Sequence, residues 1–308
     1  MSHSFPNAED PAHDWQMSKD YLQDCTRHIL QNRMFTDCQF KVQAKSSPMQ
    51  FFEAHRLILT IASPVFEKMF YGIMAEKNQP IVVEDIEPEV FKALLEYIYT
   101  GDINLESSDY YYELYYAAKK YMLPFLQKKC IIVIQENINT TNACKGYEFA
   151  ELFEESSLME YCLEVISRRT ENVLSEANLK DIKLNTIITI LDQDCLNVRS
   201  EMTLFNAVTI CAKNNNKDKD TKPLNERGKH QSLLREALQK IRFLIMTPKE
   251  FAEGPALSDL LTKFEKFDIL MNISSPASTV AMPSGFSTST TSRKMYNDCW
   301  GRGYYNRY

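Results

Sequence analysis

Over residues 37–44 polar and apolar side chains alternate without a break, Asp-Cys-Gln-Phe-Lys-Val-Gln-Ala. A period of two marks a half-buried strand, because successive side chains leave a pleated backbone on opposite sides. Residues 45–48 supply turn chemistry and residues 49–54 read as a second short strand, so the two predict a hairpin. Upstream, within residues 15–32, Ser18, Tyr21, Leu22, Cys25, Ile29 and Leu30 recur at steps of three and four. That spacing puts them on one helical face. Such a stripe, with Lys19, Asp24 and Arg27 elsewhere, has to bury against its own domain or against a partner.

Downstream the helical period takes over. Residues 56–62 predict a helix. Ser63-Pro64 restarts the chain with a hydroxyl able to cap and a proline suited to the first turn. Val65, Phe66, Met69 and Phe70 form the buried face of the helix that follows. Residues 81–83 are a short apolar strand. Glu87-Pro88 then opens a helix with Val90, Phe91, Leu94, Leu95 and Ile98 on one side and Gly101 at its end. Two further helices are expected at 111–121 and 124–137. The first domain, residues 14–138, is thus α+β.

From 139 to 273 no strand pattern is present. Segments near 141–153, 157–170, 177–192, 200–213, 228–243, 248–254 and 256–271 read as helices, with a polar loop over 214–226. The second domain is all-α. Disordered termini are expected at 1–13 and 274–308. Residues 274–292 are crowded with Ser, Thr, Ala and Pro, which bury too little apolar surface to fold.

Composition narrows the function classes. The chain has 308 residues, enough for two ordinary domains, with 44% hydrophobic and 25% charged residues. A net charge of −6 disfavours nucleic-acid phosphates as the main target. No apolar run approaches the roughly 20 residues that span a bilayer, and the N-terminus lacks the basic-then-apolar order of a signal peptide. Neither nucleic acid nor membrane is therefore an expected partner. The eight cysteines include no C-x-x-C and mostly sit in apolar patterns, as reduced core thiols of a cytosolic or nuclear protein would.

Reaction chemistry is poorly supplied. Cys25 with His28 is the best local metal pair, and no second pair accompanies it. There is no G-x-S-x-G, no P-loop and no G-x-G-x-x-G. No enzyme activity, metal or cofactor is expected. His55, at a strand-to-helix junction, reads as a buried histidine that satisfies backbone groups. Asp37 alone reads as a turn acceptor and Arg56 as a solvated side chain; brought together they would make a charged pocket. Met74-Ala75-Glu76 follows the second short helix. An apolar side chain on a loop tip anchors a partner, and the adjacent carboxylate can pair with a partner's helix. Hydrophobic-any-Glu is a weak pattern whose position gives it meaning. The basic-aromatic end, RKMYNDCWGRGYYNRY, has the residue types that stack on RNA, but a disordered terminus or the remnant of a further domain is the preferred reading.

Four phrases in order, FTDCQFKV, EAHRLILTIASPVFEKMFYG, EDIEPEVFKALLEYIYTGDINL and YYAAKKYMLPFLQKKC, resemble a BTB/POZ domain. NACKGYEFAELFEESSLMEYCLEVI and IRFLIMTPKEFAEGPALSDLLT resemble a BACK domain. The likeness covers roughly residues 30–272. It extends to the BTB-BACK branch whose members usually end in a PHR β-sandwich; no strand pattern of that kind follows Ile273. The resemblance implies a homodimer with the leading helix, carrying Leu22, Cys25 and Ile29, across the two-fold. It implies docking of cullin-3 at Met74, Ala75 and Glu76, and a charged pocket at Asp37 and Arg56. The expected function is a cytoplasmic substrate adaptor of a cullin-3 ubiquitin ligase, its protein substrate unknown. The alternatives are a nuclear location, and a BTB scaffold without ligase activity or a short isoform that heterodimerises with longer relatives.

Overall fold

The computed structural model describes residues 15–44, 47–73, 75–76, 80–105, 107–180, 182–216, 224–275 and 279–295. The chain divides into two compact units, Met1–Asn137 and Ile138–Tyr308.

In the first unit a 3-10 turn, Trp15–Ser18, precedes α1, Leu22–Gln31. The single helix expected over 15–32 is broken because Tyr21 is extended, at φ −128 and ψ 152. β1, Cys38–Val42, pairs antiparallel with β2, Gln50–Ala54, in the expected hairpin, with Phe40 opposite Phe52. α2, Arg56–Ala62, and α3, Pro64–Tyr71, carry the chain to β3, Ile81–Val83. β3 returns to β1 in parallel, with Phe40 opposite Ile81 and Val42 opposite Val83, giving the strand order β2-β1-β3. α4, Pro88–Thr100, α5, Tyr110–Lys120, and α6, Pro124–Glu136, complete the unit.

Phe40, fully buried, is the hub of its core. Its ring lies 5.1 Å from Phe91 and 5.9 Å from Phe66, and Phe66 stacks on Tyr121 at 4.4 Å. Offset and edge contacts of this kind add about 1 kcal/mol each to the area buried. The strand period that leaves Gln39 and Lys41 half-buried on one face thus delivers Phe40 to the helices from the other.

The second unit is helical among the described residues: α7, Ala143–Phe153; α8, Ser156–Arg168; α9, Thr170–Val173; α10, Leu184–Leu191; α11, Glu201–Asn216; α12, Leu224–Lys240; α13, Pro248–Glu253; and α14, Lys263–Ser274. Two of these begin later than the sequence predicts. α10 was expected from 177, but Asn178 donates to the carbonyls of Thr140 and Asn172 and holds turns there. α14 was expected from 256, but Thr262 and Glu265 form a capping box that sets the first turn.

Two expectations are corrected. The tail is not disordered over residues 279–295. Phe286 and Arg293 are buried, and Leu196 N–H donates to the Lys294 carbonyl at 3.1 Å. Specific contacts, a buried ring and a buried ion pair, outweigh the low average hydrophobicity on which the expectation rested. Residues 1–14 and 296–308 lie outside the described residues. Nor are all the cysteines reduced: Cys195 is disulfide-bonded. Cys38, Cys130, Cys144, Cys162 and Cys211 are buried thiols outside any disulfide, each pushed up to about 12 by burial.

Two carboxylates contribute to the acid stability of the second unit. The Ser200 hydroxyl and the Thr247 N–H hold Glu250 below the ordinary glutamate value, and Arg235 does the same for Glu265. A carboxyl with a depressed folded value contributes stability that is present above its unfolded value and is lost as the pH falls through the folded one. The resistance of this unit to heat should therefore weaken progressively below the ordinary glutamate value near 4.5. Glu250→Gln and Glu265→Gln should each lower the melting temperature at neutral pH and flatten its fall in acid.

Candidate protein-interaction surface

The corner between β2 and α2 is held by polar groups from distant parts of the chain. His55 is 8% exposed. Its Nε2 lies 2.7 Å from the Met34 carbonyl, which can only accept, so Nε2 carries the proton. Nδ1 is then an acceptor for the Tyr99 hydroxyl at 2.8 Å, and the same hydroxyl accepts the His55 backbone N–H at 2.8 Å. Burial pushes the Tyr99 phenol well above its usual range, so it stays a donor. The histidine expected to satisfy backbone groups does so.

Asp37 lies at the same corner. Its N–H donates to the Ala54 carbonyl at 3.1 Å, and its Oδ1 accepts from the Arg56 N–H at 2.7 Å. The two residues expected to form a charged pocket are thus brought together through the backbone of Arg56. The Arg56 guanidinium lies over the Phe70 ring at 5.4 Å.

α3 leads directly into the loop of interest. Ser63 accepts from the N–H groups of Val65 and Phe66 and donates to the Tyr121 carbonyl at 2.6 Å, so the start of α3 is tied to the end of α5. At the other end Gly72 donates to the Lys68 carbonyl at 3.0 Å. An added Cβ there would come within 2.4 Å of that oxygen, a distance that only glycine avoids. Ala75 N–H donates to the Gly72 carbonyl and Glu76 N–H to the Met69 carbonyl at 2.8 Å. The loop is folded back on its helix, with Ala75 half-buried and Glu76 exposed. Met74 lies outside the described residues. Tyr71 and Ile73, 62% and 108% exposed, share this tip and were not singled out in the sequence. An isoleucine immediately after the helix-ending glycine is the signal that marks it.

A second apolar region surrounds α1. Leu22 is 78% exposed, while Cys25 and Ile29 are half-buried on the helical stripe. Thr26 donates to the Tyr99 carbonyl at 2.6 Å and Arg27 pairs with Asp102 at 2.5 Å, which fixes α1 on α4. An open pocket of about 410 Å³ lies beside it, lined by Leu22, Gln23, Thr26, Tyr97, Gly101 and Phe125. On α2, Leu57 and Ile61 are also exposed. The sequence pattern gave no place to these two or to Phe125, because periodicity reports which residues share a face and not what covers it.

No group of three or more His, Cys, Asp or Glu among the described residues is placed to hold a metal ion. No described helix is long and apolar enough to cross a membrane. A strand-bearing unit with two exposed apolar regions, followed by a helical unit, has the make-up of a protein-interaction module.

The BTB/POZ domain model matches residues 27–138, and the BACK model, described as BTB And C-terminal Kelch, matches residues 143–254. The chain belongs to the BTB-BACK proteins, a family of interaction modules. It is 35% identical over 257 residues to BTB/POZ domain-containing protein 6-B of Danio rerio, covering 83% of this chain and 52% of the relative. It is 34% identical to BTB/POZ domain-containing protein 6 of Homo sapiens, covering 83% and 47%. It is 33% identical to BTB/POZ domain-containing protein 3 of Homo sapiens, covering 85% and 49%. The chain spans about half the length of the curated relatives it matches.

The corner is open to a direct measurement. His55→Leu strands the Met34 carbonyl and removes a partner of the Tyr99 hydroxyl. Chemical denaturation of the variant should show a loss of about 3 kcal/mol in the first unit. A loss within error would mean that the corner does not depend on the imidazole.

Proposed function

We propose that the chain is a dimeric, non-enzymatic adaptor that docks cullin-3 through the loop after α3. It works in the cytoplasm and holds a protein substrate elsewhere on the assembly. The observation that carries this reading is the loop itself. Glu76 is exposed, and beside it Tyr71 and Ile73 stand outside a turn closed by backbone hydrogen bonds. An apolar tip with an adjacent carboxylate suits the end of a partner helix, whose N-terminal N–H groups attract negative charge. Met74 and Ala75 belong to the proposed contact with Glu76, to which Ile73 is now added. Preformed geometry lowers the ordering cost of docking.

The dimer would form along α1, with Leu22, Cys25 and Ile29 facing their counterparts. Leu22 is the exposed member of that stripe. A two-fold contact buries the same patch on both copies, so one apolar helix face can serve each of them. Asp37 and Arg56 support the arrangement from within, by fixing the start of α2. Catalysis of ubiquitin transfer would be by proximity, with two docking sites per dimer raising the effective concentration.

The test is a pull-down of cullin-3 with the whole chain, with molar mass followed by light scattering. Ile73→Asp combined with Met74→Asp and Glu76→Lys should reduce cullin-3 capture at least tenfold and leave the dimer intact. Leu22→Asp with Ile29→Asp should give a monomer. A wild-type chain that dimerises and captures no cullin-3 would replace this reading with a scaffold that has no ligase role.

A further inference from the structure

Beyond α14 the chain runs back over the second unit as an extended segment. Asn272 donates to the Val280 carbonyl at 3.0 Å, and the Ser287 N–H donates to the Gln239 carbonyl at 2.8 Å. Phe286 is 5% exposed and lies 5.9 Å from Phe243, with the Arg235 guanidinium over its ring at 4.6 Å. Phe243 is otherwise surrounded by Phe205 and Phe251 at 6.1 and 6.0 Å. Phe286 therefore closes an aromatic cluster built by the helices. Gly285, at φ +83, makes the bend that seats the ring, where an added Cβ would meet Gln239 at 2.5 Å.

The second anchor is Arg293. Its side chain is 2% exposed and pairs at 2.7 Å with Glu201, which is 1% exposed. It also donates to the carbonyls of Leu191 and Gln193 at 2.7 Å and of Lys240 at 3.2 Å. One guanidinium thus joins the C-terminal ends of α10 and α12 to the first residue of α11. Past it, Lys294 forms a parallel bridge to Cys195. Between the anchors, Thr288, Thr290, Thr291 and Ser292 are exposed, Ser289 bonds to Thr291 inside the segment itself, and Arg242 donates to the Thr291 carbonyl at 3.1 Å in an exposed contact.

We propose that residues 279–295 are a releasable strap. It closes one side of the helical unit, with Phe286 as its plug and Arg293 as its latch, and it opens without unfolding the helices beneath. Two strong anchors separated by a weakly bonded stretch favour opening as a piece, since cooperative units follow the density of contacts. The latch is a buried charge pair, so loss of one partner leaves the other uncompensated. Release would uncover Phe243 by removing Phe286 and would take Arg293 from the Glu201 carboxylate. None of this depends on cullin-3 docking.

Hydrogen exchange of the whole chain in reductant, where the Cys195 disulfide makes no contribution, tests the strap. In the wild type, the amides of Leu196, Ser287 and Lys294 should be protected, yet exchange at least tenfold faster than Val208 in α11. Arg293→Met should speed them at least a further tenfold with Val208 unchanged, and Glu201→Gln in the same chain should restore part of the protection. Strap amides exposed in the wild type, or exchanging only together with Val208, would overturn the proposal, as would an Arg293→Met chain with unchanged strap exchange. If Arg293→Met unfolds the unit, the wild-type comparison and Phe286→Ala decide on the same criteria.

Discussion

The imidazole of His55 is the constraint on which the first unit turns. One ring reaches the segment after α1 through the Met34 carbonyl and reaches α4 through the Tyr99 hydroxyl, while its own backbone opens α2. Asp37 adds the start of β1 to the same corner. The segment after α1, α2, α4 and the sheet therefore meet at one small polar assembly, buried at His55 and Tyr99 and open to solvent at Asp37. Low dielectric strengthens such bonds when all are made and makes each costly to lose. The start of α2 is fixed at this point, while α3, which leads into the loop, is fixed separately by Ser63 on the Tyr121 carbonyl.

Much of the first unit was legible because its residues obey a single period at a time. The alternation through Phe40 gave β1, and the triplet-quadruplet spacing around Phe66 and Phe91 gave the faces of α3 and α4. Ser63-Pro64 and Gly101 marked the ends of helices. What the pattern could not give was pairing between segments that are far apart. Nothing in Ile81-Val82-Val83 says that it lies parallel to β1, because hydrophobic period is a property of one segment alone. The sequence pointed to Met74, Ala75 and Glu76 as a candidate contact, but the exposure of Tyr71 and Ile73 depends on where the loop folds back on Gly72 and Met69.

The second unit failed to follow its sequence where side chains compete with the backbone. Asn178 and Thr262 each satisfy backbone groups that a continuing helix would have used, and each moves a boundary downstream. The tail shows the opposite case. Its Ser- and Thr-rich stretch has the composition of a linker, yet two residues of the right kind, Phe286 and Arg293, suffice to place it. An average over a window is blind to a pair of anchors.

The parallel pairing of β3 with β1 also bears on the order in which the chain assembles. β1 and β2 are neighbours in sequence and can zip in microseconds, whereas β3 must wait until α2 and α3 have folded across the gap. The segment from Tyr71 to Glu76 lies inside that crossover, between α3 and β3. A growing polypeptide can therefore close its hairpin first, while the third strand of the sheet is added only after two helices have been laid down.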